Sequence, residues 1–401
     1  MRRRGTRTTA AGAGIAAALL RVAGCGGNGG EPAGGGGGTP EEDVPHGYVA
    51  GAEETAEPQH RLVLADGETG EVRVLDLITE EVTGLAGPGP IERAVGDGRF
   101  AYLTTGDGAV RVVDGGTWTT DHGDHAHYYR AEIGAVGEVT RDAPAVGTHA
   151  DTSRVAVTFA DGTVRLLDRE ALEAGEVAGA GTLTGAAVAV PYAGHVLVAA
   201  SDGDAVEARS PDGGDRVTID APCPEPRGAA VTRHGVVFGC ADGALLVTED
   251  GEGAFGGEKI PYPDGVAADE RAVEFSLRPG SGTLAAPAGE RGVWTLDASA
   301  GAWTLVETGP VVAADAVGDG RTLLALTPDG VLRAYDIGSG EETARTQLGT
   351  GAADIELDTS RAYVNDPAAG AVYEIDYNDD LRLARTFDLD IAPTHMVETG
   401  R

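Results

Sequence analysis

From His60 to the C-terminus, apolar and polar positions alternate in paired short runs, each pair joined by a tight turn containing Gly. The eight pairs read RLVLADGETGEVRVLD, RFAYLTTGDGAVRVVD, RVAVTFADGTVRLLD, HVLVAASDGDAVEARS, GVVFGCADGALLVTED, TLAAPAGERGVWTLD, TLLALTPDGVLRAYD and RAYVNDPAAGAVYEID. A period of two puts Val, Leu and Tyr on one face of an extended strand, and Gly-containing turns between such runs are hairpin chemistry. The turn residues Asp66, Asp107, Asp161, Asp202 and Asp242 recur at roughly 40–54 residues, the period of a four-stranded propeller blade.

A shorter run precedes most hairpins and predicts an innermost strand: Arg93 to Val95, Ala145 to His149, Ala187 to Val190, Gly228 to Val231, Val273 to Leu277 and Asp354 to Leu357. The first hairpin lacks one. Thr394 to Thr399 can supply it, so that the two ends of the chain pair and close the ring, hiding sheet edges that invite aggregation. The pattern therefore predicts an all-β fold, a β-propeller of eight blades, or seven if one unit is degenerate. A helical fold has little support, because the chain holds 63 glycines and only one short helical possibility, Arg169 to Ala174.

The second repeat is interrupted after Asp114 by an insertion carrying Asp121-His122-Gly123-Asp124-His125-Ala126-His127-Tyr128-Tyr129. Three of the nine histidines in the protein fall within these residues, interleaved with two aspartates. In an extended segment His125 and His127 point to one side, and Gly123 lets His122 turn back toward them. Imidazoles with a carboxylate, Asp121 or Asp124, are a ligand set for zinc at about 2.0–2.2 Å, with copper or nickel as chemical rivals. The alternative is a solvated polar loop that happens to be rich in histidine. Insertions between blade strands emerge on a propeller face, where binding residues sit.

The N-terminus changes the setting. Met1 to Arg7 carries four arginines, Ala10 to Leu20 is apolar, and Val22-Ala23-Gly24-Cys25 follows. This is an export signal (residues 1–24) ending in a lipobox, with Cys25 as the lipidated first residue of the mature chain; the apolar run is too short to span a bilayer. Acylation of the thiol and the new amino group would anchor the protein stably to the outer face of the cytoplasmic membrane. Residues 25–59 form a Gly-rich tether and an acidic arm without apolar periodicity, in which His46 is a possible weak ligand; residues 60–401 form the propeller. Besides Cys25 only Cys223 and Cys240 remain. In an oxidising space they pair most simply as a disulfide, and a thiolate metal site, the alternative, lacks Cys-x-x-Cys spacing. The balance of 64 acidic against 30 basic residues, net −34, excludes a nucleic-acid partner and favours cations, basic partners or a high-salt habitat.

The lipobox, the arm HGYVAGAEETAEPQ, VRVLDLIT, DHGDHAHYYRAEIGAVG, CPEPRGAA, VVFGCADG and the terminal MVETGR together resemble the AztD-like zinc metallochaperone family. The resemblance covers nearly the whole mature chain in order. It implies an exported, monomeric β-propeller that binds zinc and hands it to the solute-binding protein of a zinc ABC importer. It carries over His122, His125 and His127 as ligands and Cys223–Cys240 as a disulfide. The chain departs from the family where inner strands carry histidine: Pro144 to Gly147, Thr184 to Val190 and Pro226 to Gly228 hold none. Arg227, placed inward, would repel a cation there. His149 and His395 are possible inner-strand additions, each alone more typical of a hydrogen-bonded structural histidine, and His195 and His234 are assigned no role. No Gly-x-Ser-x-Gly, His-Glu-x-x-His or P-loop occurs. Against the non-enzymatic carrier stand a metal-free interaction scaffold and a hydrolase or lyase with a channel-centred site.

Overall fold

The computed structural model describes residues 47–401; the export signal, Cys25, the glycine tract and His46 lie outside the described residues. Among the described residues there are nine antiparallel sheets, seven of four strands and two of three. Eight of these sheets are each built on one of the eight predicted hairpins. Among the described residues helix is confined to Arg169–Glu173, capped by the Asp168 side chain, and a single turn at Ala268–Glu270.

Several hairpins begin with Arg and end with Asp because those residues face each other across the strand pair. Arg61 Nε lies 3.1 Å from Asp76 Oδ2, Arg99 Nη2 2.7 Å from Asp114 Oδ2, and Arg321 Nε 3.1 Å from Asp336 Oδ2. The other oxygen of the same carboxylate accepts backbone N–H groups of the following turn, from Ile78 and Thr79 after Asp76 and from Gly116 after Asp114. One Asp thus ends a strand, shapes a turn and pairs an Arg. Burial opposes the charge of Asp76, yet the Thr79 and Ile78 N–H groups and Arg61 hold its carboxyl below the usual range.

Apolar alternation is consumed between sheets. Phe100, Tyr102 and Val112 of one sheet interlock with Val155, Val157 and Phe159 of the next, all at most 1% exposed. Each such side chain contributes roughly 1.5–3 kcal/mol by leaving water. The C-terminal strand His395–Thr399 pairs with Arg61–Ala65 as the first strand of that sheet, with Arg61 opposite Thr399 and Ala65 opposite His395. On its other flank it packs on the inner strands Ile91–Gly96 and Asp354–Leu357.

Three local expectations change. Val273 to Leu277 forms no strand; Ser276 alone bridges Ala285 before Pro279 and Gly280 end the run, leaving that sheet three-stranded. The unpredicted Ala313–Ala316 serves as inner strand of the seventh hairpin, its short Ala-Ala-Asp-Ala pattern being too weak to read as a strand. Arg227, on the strand Arg227–Thr232, is exposed rather than buried. The two cysteines are joined as Cys223–Cys240, 17 residues apart and fully enclosed.

Candidate metal centre

The insertion leaves its sheet after Val110–Asp114 and returns to it at Gly134–Val139. Between them it folds into a separate hairpin, Thr117–Asp121 and Ala126–Arg130, pairing Trp118 with Tyr129 and Asp121 with Ala126. Its root is rigidly held. Thr117 Oγ1 meets Thr399 Oγ1 at 3.1 Å in a buried contact, the Thr119 hydroxyl donates to Gly400 O at 2.7 Å, and Arg61 Nη1 donates to Gly115 O at 2.9 Å. The Arg99 guanidinium stacks 3.8 Å over the Trp118 ring. The tip is exposed and turns on Gly123, whose φ of 83° suits a residue without Cβ. His122 N donates to His125 O across the turn, and Gly123 N to Asp121 Oδ1.

This turn brings the three histidines together. Ring centroids are 5.0 Å apart for His122 and His125, 5.4 Å for His122 and His127, and 5.0 Å for His125 and His127. One nitrogen from each lies within 4.8 Å of the others. A tetrahedral ion bound at about 2.0–2.1 Å needs its nitrogens about 3.3 Å apart, so the rings must close by at most about 1.5 Å. Rotation of the exposed His122 and His125 side chains on the glycine-hinged tip supplies that. The donor set suits zinc, with one position of a tetrahedron left for water or an incoming ligand.

Two carboxylates orient the rings. His125 Nδ1–H donates to Asp124 Oδ1 and His127 Nδ1–H to Glu54 Oε1, both at 2.7 Å. With Nδ1 so engaged, each ring presents Nε2 as the free donor to an ion. Asp121, by contrast, shapes the turn. Glu54 is the residue that pattern reading missed. It sits in Glu53–Thr55, a three-residue strand that the acidic arm adds to the edge of Ala126–Arg130, pairing Glu54 with Tyr129. The only sequence signal was the Glu53-Glu54 pair itself, and three residues are too few to show a period of two.

Among the described residues the other histidines lie outside this group. His149 lines a cavity of about 590 Å³ that also borders Thr120 and Asp121, and its Nε2 donates to Ala229 O at 3.3 Å. Burial lowers its pKa and keeps it neutral. His395 donates to Ile91 O at 3.1 Å. In a second group of potential ligands Asp358 and Glu398 are buried and His60 is half-buried. There His60 Nδ1 meets Glu398 Oε1 at 3.0 Å, Arg401 Nη1 is 3.4 Å from Glu398 Oε2, and Asp358 Oδ1 accepts from the N–H groups of Ser360 and Arg361. A guanidinium already neutralises that carboxylate, so the group is an ion-pair lock joining His60 to the C-terminal strand.

No protein-family model matches this chain, and no curated protein matches it. Solved structures do. AztD from Citrobacter koseri aligns with a TM-score of 0.71 and 20% identity over 86% of this chain and 98% of that one. Apo AztD from the same organism gives 0.71 and 18% over the same shares. The dihydro-heme d1 dehydrogenase NirN gives 0.56 and 17% over 86% of this chain and 76% of that one. The chain thus resembles AztD in three dimensions as well as in its motifs, and the shared feature at these identities is the β-propeller fold.

Proposed function

We propose that this protein is an exported, lipid-anchored zinc carrier, a metallochaperone that holds zinc on the tip of the His hairpin and passes it to the solute-binding protein of a zinc ABC importer. The observation that carries the reading is the convergence of His122, His125 and His127 on an exposed, glycine-hinged tip, two of them with Nδ1 already held by carboxylates. The likeness to AztD supports it. In this reading the eight hairpin-bearing sheets form an eight-bladed ring closed by the pairing of Arg61–Ala65 with His395–Thr399. The ring is the rigid platform and the hairpin the working part. Transfer proceeds by ligand exchange: a donor on the receiving protein takes the fourth position, and the histidines leave one at a time. A three-protein-ligand site with an open position favours such exchange over permanent retention. Surrounding carboxylates, Asp121, Asp124 and Glu54, favour a divalent cation electrostatically.

Competitive zinc titration against a chromogenic chelator tests this, with the His122→Ala/His125→Ala/His127→Ala variant alongside. Submicromolar binding that disappears in the variant is the expected result. Binding that survives in the variant removes the hairpin as the site, and no binding by the unaltered protein removes the carrier function.

A further inference from the structure

We propose that Glu54 is a positioning residue of the hairpin site: it fixes His127 as the Nδ1–H tautomer with Nε2 turned to the ion, and so makes zinc retention depend on docking of the N-terminal arm. The proposal rests on the carrier reading for its metal, but its geometry stands by itself. His125 is oriented by Asp124, its own neighbour in the turn; His127 is oriented by a carboxylate 73 positions earlier in the chain.

The register explains why Glu54 reaches that ring. Glu54 pairs with Tyr129, and His127 and Tyr129, two residues apart on one strand, share a face. Glu54 is therefore the diagonal cross-strand neighbour of His127, within the reach of a long side chain. The surroundings hold both in place. His127 stacks on Tyr129 with centroids 6.3 Å apart, and Tyr129, 0% exposed, stacks on Trp118 at 5.3 Å. The arm contributes to the same stack: Tyr48 meets the Tyr129 ring edge-on at 6.5 Å, Gly47 O accepts from Trp118 Nε1 at 3.0 Å, and Glu53 pairs with Arg130 at 2.8 Å. At 24% side-chain exposure His127 is the most enclosed of the ion-paired hairpin rings, against 58% for His125, so its orientation is set by these partners rather than by solvent.

A carboxylate on the non-ligating nitrogen raises the basicity of the ligating one and removes the need to reorient the ring, and loss of such a partner costs 10–100-fold in metal affinity. Because Glu53–Thr55 is a short edge strand, lifting it from Ala126–Arg130 would withdraw that support and loosen the ion.

The test uses purified full-length protein with Glu54→Ala and Glu54→Gln. Long-range ¹⁵N–¹H correlation on histidine-labelled, metal-free protein reads the tautomer directly. The expected result is His127 as Nδ1–H in the unaltered protein and in Glu54→Gln, whose amide oxygen still accepts, with a mixed population in Glu54→Ala. Zinc affinity should fall about 10–100-fold in Glu54→Ala and less in Glu54→Gln. An Nε2–H tautomer in the unaltered protein, an unchanged tautomer in Glu54→Ala, or zinc affinity in Glu54→Ala within twofold of the unaltered protein each overturns the proposal. Absence of zinc binding by the unaltered protein refutes the carrier function instead, and the metal-free spectra then decide the role of Glu54 alone.

Discussion

Replacing Glu356 by Gln should stabilise the protein at pH 8 and leave it unchanged at pH 4.5. Glu356 lies on the inner strand Asp354–Leu357 with its side chain 23% exposed. Burial pushes its pKa from 4.5 up to about 8, the charges of Asp354 and Glu398 adding to the shift and Arg401 opposing it. Below pH 4.5 the carboxyl is protonated in folded and unfolded chains alike, so the residue adds no pH dependence. Between 4.5 and 8 the unfolded chain releases the proton while the folded protein keeps it. The contribution present at low pH is therefore lost as pH rises toward 8. At about 1.4 kcal/mol per pH unit, the full loss would approach ~5 kcal/mol. Solvent screening of a side chain that is 23% exposed reduces this to an expected gain of about 2 kcal/mol for the neutral isostere at pH 8. Over a domain of this size that corresponds to roughly 3 °C in Tm. Denaturant titration and thermal melts at both pH values provide the measurement. A variant that is no more stable than the parent at pH 8 would show that Glu356 is ionised and held by Arg401, and would refute the reasoning; so would an equal difference at both pH values.

Replacing both Cys223 and Cys240 by Ala opens a 17-residue loop in the unfolded chain and should cost about 3 kcal/mol, read as a drop in denaturation midpoint. Arg99→Ala strips Asp114 of its partner and Trp118 of its stacked cation; a loss of about 3 kcal/mol is expected, with a shift in tryptophan fluorescence as the hairpin root loosens. His60 has its pKa raised: burial opposes the charge, but the hydrogen bond and charge of Glu398 outweigh it. Its contribution is complete below pH 6.5 and is lost as pH rises through the higher folded value, so His60→Gln should narrow its Tm gap from the parent between pH 6 and pH 8.

Local order in this protein was written locally. The alternation of period two, the Gly-containing turns and the Arg and Asp that bracket several hairpins all act over fewer than twenty residues, and each became the strand, turn or ion pair that its chemistry demands. The closeness of His122, His125 and His127 was legible for the same reason, since one glycine-hinged turn joins them. Contacts between distant segments were not. The pairing of Glu54 with His127 exists because a three-residue strand of the arm finds an open sheet edge, an event with no periodicity to read. Histidine composition alone did not distinguish His149, bonded to Ala229 O, from a ligand, nor show that His60 closes an ion-pair lock with Glu398 across the length of the chain. Nor did the pattern show that Val273 to Leu277 would contribute only the Ser276 bridge, or that Arg227 would face solvent. Side-chain pattern determined which segments are strands; packing between sheets decided which polar groups meet, and with them where a cation can be held.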